Sequence, residues 1–109
     1  MARKLLTDLE LMILLAILRV DEAYGVPIGR EIEETGRRPI ALAAVYTALD
    51  RLEARGLVTS SRGEPTAERG GRAKRIFRVT PAGRQKVRAT QRAFVALWTN
   101  VPALKGGTA

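Results

Sequence analysis

The run Ala44-Val45-Tyr46-Thr47-Ala48-Leu49-Asp50-Arg51-Leu52-Glu53-Ala54-Arg55-Gly56-Leu57-Val58 decides the fold, together with the polar stretch and second apolar run after it. Val45, Leu49 and Leu52 recur at spacings of four and three, which puts them on one face of a helix. Ala43, Tyr46, Thr47 and Asp50 fall elsewhere on its surface, and Gly56 is placed to end it as a C-cap. Two short strands are predicted next, about Leu57–Ser61 and Ile76–Val79. Between them lies the fourteen-residue polar stretch Arg62-Gly63-Glu64-Pro65-Thr66-Ala67-Glu68-Arg69-Gly70-Gly71-Arg72-Ala73-Lys74-Arg75. A tight hairpin needs no loop of that length, and long loops inside compact domains are usually functional. Helix, hairpin and cationic loop in this order describe a mainly α fold with a small β-hairpin, a winged helix-turn-helix.

The flanks agree. Thr7-Asp8-Leu9-Glu10 is a capping box, with Thr7 accepting from the first turn and Glu10 reaching back. The helix that it opens, about Thr7 to Arg19, has nine apolar residues among the ten from Leu9 to Leu18. So continuous an apolar surface exceeds the single stripe that a small domain can cover, so a partner chain is expected over the remainder, at Leu9 and Ile13. A second helix is predicted from about Val26 to Thr35, with Pro27 in its first turn, Ile28 and Ile32 facing inward, and Gly36 as its stop. Thr80-Pro81 restarts a helix as N-cap and first residue. This last helix carries Val87, Phe94, Leu97, Trp98 and Val101, and should end before Pro102, because the residue preceding a proline is biased out of the helical region. The expected organisation is a winged helix-turn-helix over residues 1–80, a C-terminal dimerisation helix over 81–101 and a disordered tail over 102–109.

Composition narrows the chemistry. The chain of 109 residues has neither cysteine nor histidine, which removes disulfides, thiolates, zinc fingers and histidine-based triads. No metal or cofactor site is expected, and an enzyme is a remote reading because no carboxylates group into a site. The apolar stretch Leu9–Leu18 is far short of the ~20 residues that span a bilayer. Met1-Ala2-Arg3-Lys4 leads into a leucine run with no small-residue cleavage site beyond it. A soluble, cytoplasmic protein without membrane partners is expected.

The formal charge is +8, and residues 62–92 account for it, with ten basic side chains against Glu64 and Glu68. Fifteen of the nineteen basic residues are arginine, whose planar fork suits phosphate and guanine edges better than lysine does. An excess concentrated around Gly70-Gly71, where the backbone approaches a groove closely, points to a polyanion rather than to a solvated charged face.

With these segments laid out, the chain resembles the small-subfamily PadR-type transcriptional regulators. The resemblance rests on Leu6-Thr7-Asp8-Leu9-Glu10, Ala23-Tyr24-Gly25, Ala44 to Glu53, Arg55-Gly56-Leu57-Val58, Gly63-Glu64-Pro65-Thr66, Glu68-Arg69-Gly70-Gly71-Arg72 and Thr80-Pro81-Ala82-Gly83. It implies a homodimeric winged helix that binds double-stranded DNA, usually as a repressor, with the C-terminal helix packed on the partner subunit. Two departures stand where the third helix begins: Ala41 replaces a frequent serine and Ala43 a frequent glycine. Losing the serine cap costs about 1 kcal/mol of helix stability if nothing replaces it. Alanine methyls can instead meet thymine methyls in the major groove.

The expected DNA contacts are Tyr24, Ala41, Ala43, Ala44, Tyr46, Thr47 and Arg51 around the third helix, and Arg69, Gly70, Gly71, Arg72, Lys74 and Arg75 in the wing. Tyr46 is either a core aromatic or a phosphate contact, Thr47 reaches a base or a phosphate, and Tyr24 touches the backbone or only packs its turn. Phe94, Leu97, Trp98 and Val101 belong to the expected dimer seam. There Trp98, with Phe94, is interface core or, as in multidrug-sensing members, the wall for a small aromatic effector. Two-fold symmetry predicts an inverted-repeat operator with half-sites about one helical turn apart. The rival readings are a winged helix used only for protein assembly, which needs no cationic wing, and an architectural DNA binder with little sequence preference.

Overall fold

The structure, a computed structural model, describes residues 4–65 and 73–104. Three helices, α1 (Asp8–Arg19), α2 (Gly25–Glu34) and α3 (Leu42–Ala54), precede an antiparallel hairpin of β1 (Val58–Pro65) and β2 (Ala73–Val79), and α4 (Pro81–Trp98) comes after it. Val58 pairs with Val79, Ser60 with Phe77 and Arg62 with Arg75, and an irregularity falls between Arg62 and Pro65. Both strands are longer than the sequence suggests, because β pairing continues through polar residues such as Arg62 and Lys74 that no apolar alternation marks.

One core joins all of these elements. Ile13, Leu14, Ile28, Val45, Leu49 and Leu52 are fully buried, and Val58 and Phe77 close it from the hairpin. The hairpin is held at its base by the Phe77 amide, which donates to the Ala23 carbonyl at 2.8 Å. The α1 capping box forms as its sequence implies, Thr7 accepting from the Glu10 amide while the Glu10 carboxylate accepts from the Thr7 amide. Ion pairs tie the helix ends together: Arg19 to Glu31 at 2.5 Å, Arg55 to Glu10 at 2.7 Å and Arg38 to Asp8 at 3.1 Å.

α2 ends at Glu34 and Gly36 lies in the turn after it, as expected of a stop. The left-handed residue of that turn is Arg37, with φ at 57°. Gly36 is needed for proximity, since a Cβ there would stand 2.6 Å from the Ile32 carbonyl oxygen. Gly56, in contrast, is left-handed at φ 76° directly after α3, as a C-cap requires.

The first half of α4 docks on the domain and the second half leaves it. Thr80 donates to the Gly56 carbonyl and accepts from the Gly83 amide, and fully buried Thr90 accepts from the Leu6 amide at 3.2 Å. Beyond Thr90 only Ala93 is partly covered along the helix. The helix ends at Trp98, short of the expected 101, because Thr99 turns extended and Asn100 takes φ 59°. Pro102–Leu104 form a turn of 3-10 helix where a disordered tail is expected; residues 105–109 lie outside the described residues. The molecule measures 55 × 35 × 21 Å with a radius of gyration of 16.1 Å, against about 13 Å for a compact chain of this size.

Gly83 sets how closely α4 approaches the hairpin, since an added Cβ would stand 2.2 Å from the Leu57 carbonyl oxygen and 2.7 Å from a Val79 methyl. Backbone cannot yield cheaply, so Gly83→Ala is expected to cost about 1–3 kcal/mol, lowering Tm by roughly 5–20 °C. Gln85→Ala, at an exposed position on the same helix, should leave Tm within about 4 °C. Thermal melts followed by circular dichroism check both.

Candidate nucleic-acid interface

Helical periodicity divides α3 into two surfaces. Val45, Ala48, Leu49 and Leu52 turn inward, while Ala43, Thr47, Asp50 and Ala54 form an exposed outer face. Arg51, also exposed, flanks that face on the α1 side, where Ala44, Thr47 and Arg51 share a hollow with Thr7, Leu9 and Glu10. Ala41 is the N-cap, and its methyl leaves the first amides of α3 without a side-chain acceptor. Ala43, Thr47 and Arg51 follow one another at intervals of four along one side of the helix and are exposed, Ala44 is half-buried beside them, and Ala41 is exposed at the N-cap.

Tyr46 has a packing role. A Cβ on Gly25 would lie 2.4 Å from its ring carbon Cζ and 2.5 Å from its hydroxyl oxygen. The half-buried ring therefore lies against the first residue of α2, and the glycine after Tyr24 exists to admit it. Its hydroxyl thereby reaches the start of α2. Tyr24 is the half-buried N-cap of that helix.

The wing cations divide into two groups. Arg69, Gly70, Gly71 and Arg72 lie outside the described residues. Lys74 and Arg75, expected to meet a polyanion, are engaged within the protein. Lys74 Nζ contacts Glu22 Oε1 at 3.1 Å and stands 4.7 Å from the centroid of the Tyr24 ring, bracing β2 on the turn before α2. Arg75 reaches back to α3, pairing with Asp50 at 3.1 Å and with Glu53. Among the described residues, the exposed Arg51 and Arg62 form no ion pair.

The carboxyl of Glu53 is held below its ordinary pKa, first by the Ser60 hydroxyl and then by Arg75, against the opposing effect of desolvation. Desolvation likewise opposes the charge on Arg75, but its bonds to Asp50 and Glu53 outweigh it and raise the pKa.

The expected seam residues separate. Ile13 is fully buried in the subunit's own core and has no surface to offer a partner; Leu9 is half-buried and packs against that core. The outward apolar residues of α1 are Leu15 and Leu18, at 41% and 47% exposure. At the far end of α4, Phe94, Leu97 and Trp98 are 53%, 78% and 67% exposed, and Val95 joins them at 54%. Val101 is half-buried beyond the helix end. Asp50 lies on the outer face of α3 as its spacing implies, and one surface absent from the sequence reading also emerges, the exposed apolar pair Leu42 and Val26 at 45% and 37%. The signal for that pair, apolar residues off the core stripe of α2 and α3, is present in the sequence but does not reveal which side of each helix is left open.

A trihelical core whose third helix exposes a small-residue face beside a β-hairpin defines a winged helix-turn-helix. The chain belongs to the family described as the transcriptional regulator PadR-like family, whose sequence profile matches residues 14–89; its members are regulators and not enzymes. Among curated relatives, transcriptional regulator Rv3488 of Mycobacterium tuberculosis is 35% identical over 77 residues, 71% of this chain and 67% of its own. A PadR-like transcriptional regulator from Bacillus cereus superimposes with a TM-score of 0.72 at 20% identity, covering 91% of this chain and 92% of that one. PadR of Bacillus subtilis, solved in complex with operator DNA, gives 0.64 at 23% identity over 75% of this chain and 45% of its own. Among the described residues no helix is long and apolar enough to cross a membrane.

The depressed pKa of Glu53 has a pH consequence of known sign. Its bonds to Ser60 and Arg75 contribute stability above the unfolded carboxyl pKa, about 4.3, and that contribution is lost as pH falls through the lower folded value. Wild type should therefore be more stable than Glu53→Gln at pH 7, with the difference in urea midpoint shrinking as pH drops from about 5 to 3. A gap that is constant across that range would remove Glu53 from the acid response.

Proposed function

We propose that this chain is a homodimeric transcriptional repressor that binds an inverted-repeat operator. α3 enters the major groove of each half-site, and the hairpin loop tracks the adjacent backbone or minor groove. One observation carries the reading: the exposed Ala43–Thr47–Asp50 face of α3 stands beside a hairpin that opens the segment holding the whole net charge of the chain. N-terminal residues of such a helix reach base edges, and small side chains there let the backbone approach the groove. The relative solved with operator DNA supports the same use of the fold. Residues 69–72 and the unpaired Arg51 and Arg62 supply the phosphate contacts; Tyr24 and Tyr46 frame the start of α2 as packing residues whose hydroxyls meet the backbone.

The dimer reading rests on the last two turns of α4. Phe94, Val95, Leu97 and Trp98 expose a contiguous apolar surface that a subunit alone leaves in water, a condition that marks an interaction site. Leu15 and Leu18 extend the apolar surface offered by α1. An effector, a flat aromatic molecule, stacks on Trp98 and Phe94 at the seam and shifts the spacing of the two reading heads. The site of action is the cytoplasm, where the operator lies.

Anisotropy of labelled DNA from upstream of the protein's own gene, against scrambled DNA, tests the DNA reading. Wild type should prefer the native fragment by about a hundredfold or more, within the range that separates specific from non-specific binding. Affinity for both should fall with salt at a log–log slope near −0.9 per neutralised phosphate. Equal binding to both fragments would reduce the protein to a phosphate binder at this locus, and salt-insensitive binding would contradict the cationic wing. For the seam, Phe94→Glu with Trp98→Glu should sediment as a monomer while keeping the helical circular dichroism of wild type; a double variant that stays dimeric would remove α4 from the interface.

A further inference from the structure

Arg75 stands at the junction of three elements. Its Nε donates to the Ser60 hydroxyl oxygen on β1 at 3.2 Å, its Nη1 to Asp50 on α3 at 3.1 Å, and its Nη2 to Glu53 one turn further along α3. Ser60 in turn donates to the second carboxylate oxygen of Glu53 at 2.7 Å. The guanidinium lies 4.8 Å from the centroid of the Phe77 ring, which is itself buried in the core. All three nitrogens have acceptors, and one face is stacked.

We infer that Arg75 is a positioning residue for DNA recognition, clamping the hairpin to α3 so that wing and reading helix present one fixed surface. The inference rests on the DNA reading above. An isolated surface ion pair contributes little, but a planar fork engaged by two carboxylates and a hydroxyl is the multidentate geometry in which surface pairs count. The alternation along β2 brings Arg75 to the side of Phe77 and Val79, toward α3, and so away from a free wing tip. The clamp has a second effect. Asp50 stands on the outer face of α3, where an uncompensated carboxylate would repel a phosphate backbone, and the Arg75 charge cancels it.

A clamp and a phosphate ligand predict opposite signs for one substitution. If Arg75 held phosphate, Glu53→Gln would free it and remove a nearby negative charge, so binding would tighten and its salt slope steepen. As a clamp, Glu53→Gln loosens the hairpin and binding weakens although negative charge has been removed.

The test is anisotropy of the full chain on a duplex selected in vitro by the wild-type protein, titrated at several salt concentrations. Arg75→Gln and Glu53→Gln should each weaken binding by roughly tenfold, and the double variant should be no weaker than the poorer single one, as expected for one shared interaction. The salt slope should stay at its wild-type value for Arg75→Gln, because no phosphate contact is lost. Arg75→Lys, which keeps the charge without the fork, should not restore affinity. Tighter binding by Glu53→Gln, or a slope shallower by about 0.9 in Arg75→Gln, would overturn the inference and leave the DNA reading standing. Failure of the wild type to select or bind any duplex would overturn both.

Discussion

Val45, Leu49 and Leu52 have no measurable exposure, and they fix α3 by seating it between α1, α2 and the hairpin. The opposite side of the same helix is the surface proposed to read DNA. A single 13-residue helix thus forms the centre of the core on one side and the face proposed to read DNA on the other. Its 3.6-residue period permits this because inward and outward positions never coincide. Any slip of the inward stripe would rotate Ala43 and Thr47 off the reading face, so core packing and recognition share one constraint.

The rest of the molecule holds that helix in register. Gly25 admits the Tyr46 ring at the start of α2. The Ala23 carbonyl anchors β2 through Phe77, Lys74 braces it on Glu22 and Tyr24, and Arg75 ties it to Asp50 and Glu53. Gly83 then lets α4 pack against the hairpin's base while its last turns project away. Each device acts between residues distant in sequence: Tyr46 and Arg75 join α3 to α2 and to the hairpin, and the others join the hairpin to the turn before α2 and to α4. The combination of a rigid head and a projecting helix comes from the positions of a few glycines and long polar side chains.

The sequence revealed α3, the capping box, the C-cap at Gly56 and the restart at Thr80 because each is written in local spacing. The structural neighbours share the winged-helix fold implied by the order of those elements. What stayed hidden depends on partners that local pattern does not name. Ile13 looked available to a second subunit because α1 is apolar almost all round, and only the packed structure shows that its own core takes that side while Leu15 and Leu18 remain outside. Arg75 and Lys74 looked like free wing cations, but their carboxylate acceptors lie 22 to 52 positions away in the chain. Gly36 was legible as a turn residue, yet the left-handed conformation fell on Arg37 because the glycine was needed for closeness to the Ile32 carbonyl. The end of α4 was misplaced by three residues, since the proline at 102 marks only the latest point at which a helix can stop.

The central claim is that two copies of α3, held at a fixed spacing, read one duplex. Hydroxyl-radical footprinting of the wild-type protein on its selected duplex tests this most directly. The account predicts two symmetric protected patches about one helical turn apart, roughly 34–36 Å, with extra protection outside each where the wings lie. A single patch, or protection that runs evenly along the fragment without boundaries, would contradict it.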